Sequence, residues 1–371
     1  MSSKDDPIYV VRPNLPPFEE FTRAVKTAWD RRWLTNGGAL HQELETALEK
    51  RFGGLQVSLF NNATIGLMAA CAALDLKGEV ITTPFSFIAT AHSLLWNSLT
   101  PVFVDIDPHS LNIDPAKVEA AITDKTSAIM AVHCYGHPCD VEAIEAIAKK
   151  HNLKVIYDAA HAFDLECHCG NILQHGDISV LSFHATKVFN TFEGGAIVCK
   201  DPALKTRIEQ FKNFGIVDDE HIGQTGLNGK MSEAHAAMGL AQLPHMDEYR
   251  KGRARVDALY RCELADVKGI KLLHSGAKTP NYAYFPVLIT DECPISRDAL
   301  YDLLKDHNII ARRYFYPLIS DFPMYQALPS SAPDNLPIAQ KASSQILCLP
   351  IYPDLSEAEQ MRVINVIKEA S

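Results

Sequence analysis

Short apolar segments alternate with helix-patterned segments between residues 57 and 199. The apolar segments have the length of strands, and several end in a polar residue or a proline. They are residues 57–60, 79–83, 101–105, 127–133, 153–158, 180–183 and 196–199. Such alternation is typical of an α/β fold, in which helices flank both faces of a mostly parallel central sheet. Because functional residues gather at the carboxyl ends of strands in such sheets, we expect the site there.

The pattern changes after residue 231, which suggests a second domain. The later segments with a regular pattern are a helical region at 232–265 broken near Pro244, a strand at 284–289, and helices at 296–307 and 355–370. With 371 residues, the chain is longer than one typical domain of roughly 100–200 residues. We predict an N-terminal segment and large α/β domain over 1–249, and a small C-terminal α+β domain over 250–371.

Charge and hydropathy exclude several classes of partner. The net charge is −10, which argues against nucleic acid or an anionic membrane surface as the main partner. No apolar run approaches the roughly 20 residues of a membrane-spanning helix. The opening residues, MSSKDDPIYV, lack the apolar stretch of a secretory signal. We therefore expect a cytoplasmic protein.

The chain has nine cysteines, an odd number, so they cannot all pair. Most lie inside apolar runs, as Cys71, Cys199 and Cys348 do, which is typical of reduced thiols in the cytoplasm. Two clusters of cysteine and histidine occur, at 133–139 and 167–175. Neither has the paired CxxC spacing of a structural zinc site, so we predict no bound metal.

Two strand ends carry an acid and a lysine. One predicted strand ends in Asp158, followed by two alanines and His161, and a later strand leads into a polar cluster that contains Lys187. A carboxylate can hold a protonated ring nitrogen, and a partly desolvated lysine can form a Schiff base. The alternatives are a helix N-cap for Asp158 and an ordinary surface lysine for Lys187.

Neither a GxxxxGK[ST] loop nor a GxGxxG fingerprint is present, which excludes two common nucleotide sites.

Residues 61–64, with the sequence NNAT, lie between an apolar strand and an alanine-rich helix. The helix N-terminus could bind a phosphate there, or Asn62 or Thr64 could simply cap it. Phe87 follows another strand and could stack on a planar ring or belong to the core.

Together these segments resemble the DegT/StrS family of sugar-nucleotide aminotransferases. The matching segments are WLTNGG, NNAT, TTPFSFIATAHS, PVFVDID, VIYDAAHAF, LSFHATKVFNTFEGGAIV, GLNGKMSEAHAAMGLAQL and, nearer the C-terminus, RRYFYPL. The resemblance implies an aspartate-aminotransferase-like structure (fold type I) with pyridoxal 5'-phosphate as the cofactor.

The resemblance also implies roles for individual residues around the cofactor ring. Lys187 would form the Schiff base with the cofactor, and Asp158 would keep the ring nitrogen protonated. Phe87 would stack on the ring. His161 takes the place of a glutamine that is common in the family, near the phenolic oxygen of the cofactor.

A second group of residues is implied at the cofactor phosphate. The backbone of Ala63, where many members have glycine, would bind it together with the Thr64 and Ser182 hydroxyls. Asn228 matches an asparagine that reaches the phosphate in the neighbouring subunit. The resemblance therefore implies a homodimer with shared active sites.

The implied reaction transfers an amino group from L-glutamate to a dTDP-linked 4-keto-6-deoxyhexose, giving 2-oxoglutarate and an amino sugar for O-antigen or another surface glycan. A subset of the family has histidine at the lysine position and dehydrates its sugar, so Lys187 favours transamination. The alternatives are a 3-amino sugar or GDP-4-ketosugar (perosamine-type) transaminase, a non-catalytic or regulatory protein that binds the cofactor, and a cofactor-free Schiff-base lyase.

Overall fold

The structure, a computed structural model, describes residues 6–371; part of the opening segment considered for a secretory signal, residues 1–5, lies outside it. The first part of the chain contains, in order, β1 (Ile8–Tyr9), α1 (Phe18–Arg31), α2 (Ala39–Arg51), β2 (Gln56–Phe60), α3 (Ala63–Ala73), β3 (Glu79–Thr82), α4 (Ala89–Trp96), β4 (Thr100–Phe103), α5 (Pro115–Ala120), β5 (Thr126–Val132), α6 (Val141–His151), β6 (Lys154–Asp158), β7 (Glu166–Cys167), β8 (Gly170–Asn171), β9 (Ile178–Ser182), β10 (Gly195–Cys199), α7 (Pro202–Lys212) and α8 (Glu233–Gln242). The remainder contains α9 (Met246–Leu264), β11 (Ile270–Leu272), β12 (Phe285–Ile289), α10 (Arg297–Asp306), β13 (Ile309–Ile310), α11 (Pro337–Gln345), β14 (Ile346–Leu349) and α12 (Glu357–Ala370).

A seven-stranded sheet forms the centre of the first part, in the order β2-β10-β9-β6-β5-β3-β4. Strand β10 is antiparallel to both of its neighbours, and the other pairs are parallel. The mostly parallel sheet predicted from the alternation is therefore confirmed.

Side chains alternate between the two faces of this sheet, as the period of a strand requires. In β5, Ile129 and Ala131 join the core that contains residues of α2 and α6, whereas Ala128 and Met130 join the core that contains residues of α3 and α7. Both faces of the sheet are covered by helices, so most side chains in the middle of its strands are apolar.

The C-terminal part has a core of its own, in which residues of α9, α10 and α12 pack with the antiparallel sheet β11-β12-β14. Strand β1 pairs with β13, so the N-terminal end of the chain also contacts this part. The division at residues 249 and 250 remains a prediction, and it falls inside α9.

The structure differs from the expectation of free thiols at one place. It pairs Cys167 with Cys169 as a disulfide, and leaves the other seven cysteines free. Among residues 6–371, no helix has both the length and the apolarity needed to cross a membrane.

A buried carboxylate joins two helix N-termini in the large part of the fold. Glu233, at the start of α8, is 2% exposed and accepts the backbone N–H groups of Leu40 and His41, both at 2.9 Å, at the start of α2. A Cβ atom on Gly38 would lie 2.5 Å from the Glu233 carboxyl carbon. The close approach of Glu233 therefore explains the second glycine of the WLTNGG motif, Gly38.

We expect Glu233→Gln to lower the free energy of unfolding by about 1–3 kcal/mol, because the amide keeps only one acceptor oxygen and loses the negative charge at the helix N-terminus. Chemical denaturation followed by circular dichroism measures this change. Glu43→Gln, at an exposed position of α2, is the matched control. Equal stability of the two variants would contradict the role of Glu233.

Candidate active site

The start of α3 lies against the start of β10. In the sheet register, Gly195 pairs with Phe60 on one side and with Ser182 on the other. A Cβ atom on Gly195 would lie 2.8 Å from the Ala63 nitrogen, so only glycine allows this approach. Ser182, Ala63 and Thr64 are thereby placed in one region, at the edge where the parallel strands end.

The same helix N-terminus could bind an anion. Asn62 accepts the N–H of Ile65 at 2.9 Å, which confirms the capping alternative for Asn62. The first N–H groups of a helix have no acceptor within the helix, so those of Ala63 and Thr64 are suited to phosphate. Capping and phosphate binding are therefore compatible here.

Asp158, the last residue of β6, has a buried carboxylate. It accepts the Thr90 hydroxyl at 2.7 Å and the Ala160 N–H at 3.1 Å. Burial raises the pKa of Asp158, while these two hydrogen bonds and the charge of Lys187 act in the opposite direction. Asp158 accepts these hydrogen bonds at the end of a strand, and no helix begins there. The N-cap alternative is therefore excluded.

Lys187 lies in the loop between β9 and β10 and is partly buried. Burial lowers its pKa to about 8, while the negative charge of Asp158 raises it. Its Nζ donates to the Tyr284 hydroxyl at 3.3 Å. With a pKa of about 8, about half of the amine is neutral near pH 8, so Lys187 is not an ordinary surface lysine and can act as a nucleophile or a base.

His161 is buried and neutral. Burial is the main cause that lowers the pKa of His161 well below its ordinary value, and the charge of Lys187 adds to it. Its Nδ1 accepts the Tyr135 N–H at 3.1 Å, so in the neutral ring the proton is on Nε2, which lies 3.3 Å from the Tyr284 hydroxyl. Tyr284 therefore contacts both His161 and Lys187.

The other two predicted residues are exposed. Phe87 is 60% exposed, which excludes the core alternative, and its carbonyl accepts the N–H of Thr90 at 3.1 Å. Phe87 is thus one helical turn from the hydroxyl that holds Asp158. Asn228 is exposed, and its carbonyl lies 3.5 Å from the Asn61 amide nitrogen.

Two contact residues were missed by the sequence analysis. Thr90 lies in the motif TTPFSFIATAHS, and its position three residues after Phe87 was an available signal. Tyr284 comes from the segment before β12, 97 residues from Lys187, and nothing in the local sequence indicates the contact.

The residues present fit pyridoxal phosphate. A helix N-terminus suits the phosphate, and the glycine at position 195 leaves space beside it. A buried carboxylate suits a protonated ring nitrogen, and a lysine with a lowered pKa suits the aldehyde. The individual roles of the eight predicted residues remain predictions.

We expect the reactivity of Lys187 in cofactor-free protein to rise with pH with a midpoint near 8, because only the neutral amine attacks an electrophile. Competitive labelling with acetic anhydride, read by peptide mass spectrometry, measures the midpoint, with exposed Lys200 as the internal reference. In Asp158→Asn the midpoint should fall, because the charge that raises the lysine pKa is gone. A midpoint near the ordinary lysine value of about 10.4 would contradict the assignment.

Known proteins of similar sequence and structure include sugar aminotransferases. The chain is 53% identical over 366 residues to a dTDP-4-amino-4,6-dideoxy-D-glucose transaminase from Shigella dysenteriae (98% of this chain, 99% of the relative), and 49% identical over 365 residues to a protein of the same name from Escherichia coli (98% of each). The crystal structure of DesI, analysed with its TDP-sugar product, superposes with a TM-score of 0.94 at 37% identity, covering 98% of this chain and 93% of that one. Residues 18–368 match the DegT/DnrJ/EryC1/StrS aminotransferase family, and the chain therefore belongs to this family of pyridoxal-phosphate-dependent enzymes.

Proposed function

We propose that the enzyme transfers the amino group of L-glutamate to a dTDP-linked 4-keto-6-deoxyhexose, giving dTDP-4-amino-4,6-dideoxyglucose and 2-oxoglutarate. The observation that carries this proposal is the identity of 53% and 49%, over nearly the whole chain, to two transaminases named for that product. The site geometry supports transamination because the lysine and the buried acid are both present.

Bound pyridoxal phosphate supplies a ring that withdraws electrons from the substrate carbon, provided that its nitrogen stays protonated. Asp158 would hold that proton in place when its carboxylate is charged. The Thr90 hydroxyl and the Ala160 N–H both favour the charged carboxylate, against the effect of burial. The two hydrogen bonds also fix the direction in which the carboxylate faces.

Lys187 would act as the base that takes a proton from the substrate carbon and as the acid that returns it. Its pKa of about 8 lets the amine accept a proton as a base and return it as an acid near neutral pH. The Tyr284 hydroxyl, 3.3 Å from Nζ, orients the amine when it is free. His161 would offer its Nε2 proton to an oxygen of the bound cofactor and would stay uncharged, because burial lowers its pKa.

The test is a panel of nucleotide-linked ketosugars supplied with L-glutamate, with 2-oxoglutarate and the amino sugar measured by mass spectrometry. We expect the dTDP-linked 4-ketosugar to have a kcat/KM at least about tenfold above those of GDP-linked 4-ketosugars and of 3-ketosugars, a difference of about 1.4 kcal/mol. Lys187→Ala should lose turnover and still bind the cofactor without a covalent bond. Lys200→Ala, at an exposed position just after β10, is the control.

Each alternative predicts a distinct result in this panel. Preference for a GDP-linked 4-ketosugar would indicate a perosamine-type enzyme, and preference for a 3-ketosugar a 3-amino sugar transaminase. Protein that holds the cofactor and does not convert it to the amine form with glutamate would indicate a regulatory protein. Full turnover by Lys187→Ala would overturn the proposed mechanism.

We also propose that the enzyme is a cytoplasmic homodimer that supplies a surface glycan such as an O-antigen. Three tryptophans support an apolar contact between subunits, because Trp29, Trp33 and Trp96 are 73%, 51% and 74% exposed in the single chain. Sedimentation of the holoenzyme should give twice the chain mass of 41.0 kDa. A fully active monomer would contradict the shared site implied for Asn228.

A further inference from the structure

A short hairpin outside the active site concentrates metal-binding side chains. Strands β7 and β8 pair antiparallel, with Cys167 opposite Gly170, and the turn between them contains His168 and Cys169. Gly170 has a φ of 113°, which favours glycine at this turn. The two cysteines have Cα atoms 5.3 Å apart and form a disulfide in the structure.

A histidine from outside the hairpin faces both sulfur atoms. The Nε2 of His175 lies 3.3 Å from the Sγ of Cys169 and 3.8 Å from the Sγ of Cys167. The side chain of His175 is 11% exposed, and Cys167 is buried. The three donor atoms all lie within 4.8 Å of one another. Two thiolates and one imidazole at this spacing are a donor set that suits zinc.

The other nitrogen of this histidine is held by a carboxylate. Nδ1 of His175 lies 3.2 Å from Oε1 of Glu145 in α6, and the same oxygen accepts the N–H of Gly176 at 2.9 Å. An N–H on Nδ1 therefore donates to Glu145, which leaves the lone pair of Nε2 directed toward the sulfurs. This arrangement of carboxylate, histidine and metal is common around zinc ligands.

Candidates for a fourth ligand are close to the same sulfur. The side chains of Glu142 and His168 each have a donor atom within 4.8 Å of the Sγ of Cys169, and both are exposed. A tetrahedral ion held by Cys167, Cys169 and His175 could be completed by either of them or by water.

We propose that Cys167, Cys169 and His175 bind one Zn²⁺ ion when the cysteine pair is reduced. A dithiol reductant donates two electrons and two protons to the disulfide, which yields two thiols and the oxidised reductant. Binding of the ion then releases the two thiol protons. The disulfide and the metal are mutually exclusive, because only thiolates are ligands.

The position of the hairpin suggests a structural role for the ion. Thr279 donates its hydroxyl to Glu166 of β7 at 2.6 Å, and Asn281, two residues later, donates to the carbonyl groups of His161 and Phe163 at 2.7 and 2.9 Å. The ion would link this hairpin to α6 through Glu145. It would thereby hold in place the segment that leads to the active-site Tyr284.

The test is metal binding by full-length holoenzyme that has been reduced with a phosphine and freed of metal by dialysis. Zn²⁺ titration against a chromophoric chelator should give one ion per chain, and Co²⁺ should give the visible and thiolate charge-transfer bands of a tetrahedral site with sulfur ligands. Cys169→Ser should abolish both signals. Cys262→Ser removes an exposed cysteine of α9 and is the matched control. Glu145→Gln should weaken Zn²⁺ binding by about 10–100-fold.

The remaining outcomes overturn the proposal. If the reduced holoenzyme binds no Zn²⁺, there is no metal site at this hairpin. The same conclusion follows if the Cys169→Ser variant binds Zn²⁺ as well as the unmodified protein does. If the native protein under the same reductant still shows seven reactive thiols after denaturation instead of nine, the pair is a stable disulfide and not a metal site. Circular dichroism and cofactor absorbance show whether each variant is folded, and neither depends on the sugar substrate.

Discussion

The proposed active site depends on one buried carboxylate, Asp158, whose neighbours favour its charged form. Burial alone would protonate Asp158, since a carboxylate without partners loses far more in leaving water than it gains. The groups that oppose this effect come from three parts of the chain: a hydroxyl of α4, the N–H of Ala160 after β6, and Lys187 in the loop after β9. These parts follow β3, β6 and β9, which run parallel in the same sheet, so all three lie at the edge where those strands end. The sheet topology thus brings together the groups that oppose the effect of burial on the pKa of Asp158.

Asp158 and Lys187 shift each other's pKa values: the acid raises that of the lysine, and the lysine lowers that of the acid. Burial lowers the pKa of Lys187 and raises that of Asp158, whereas the charge of each residue favours the charged form of the other. The result for the lysine is a pKa of about 8, between that of a fully buried amine and that of an exposed one. Near that pH the amine can therefore exist in both forms, which the proton transfer proposed for Lys187 requires.

Features encoded by local sequence could be predicted, and features made by tertiary contacts could not. Asp158 and Lys187 follow apolar strands, so the alternation of segments alone placed them at the active edge. Helix α7 was not predicted, although Asp201 followed by a proline is a recognisable start signal, and Asp201 does cap it. Thr90 lies in the first turn of α4, where nothing in the local sequence marks its hydroxyl as a partner of Asp158. Tyr284 reaches the site from the C-terminal part of the chain, which no local pattern specifies.

Two histidines illustrate how a single hydrogen bond determines what an imidazole can do. The Nδ1 of His161 accepts a backbone N–H, so its Nε2 carries the proton and can donate to an oxygen. The Nδ1 of His175 faces the Glu145 carboxylate, so its Nε2 keeps a lone pair and can bind a cation. The spacing of cysteines in the sequence argued against a metal because it lacks a CxxC pair, yet the decisive contact is with a glutamate 30 residues away. The ligand character of His175 therefore arises from the packing of α6 against the hairpin.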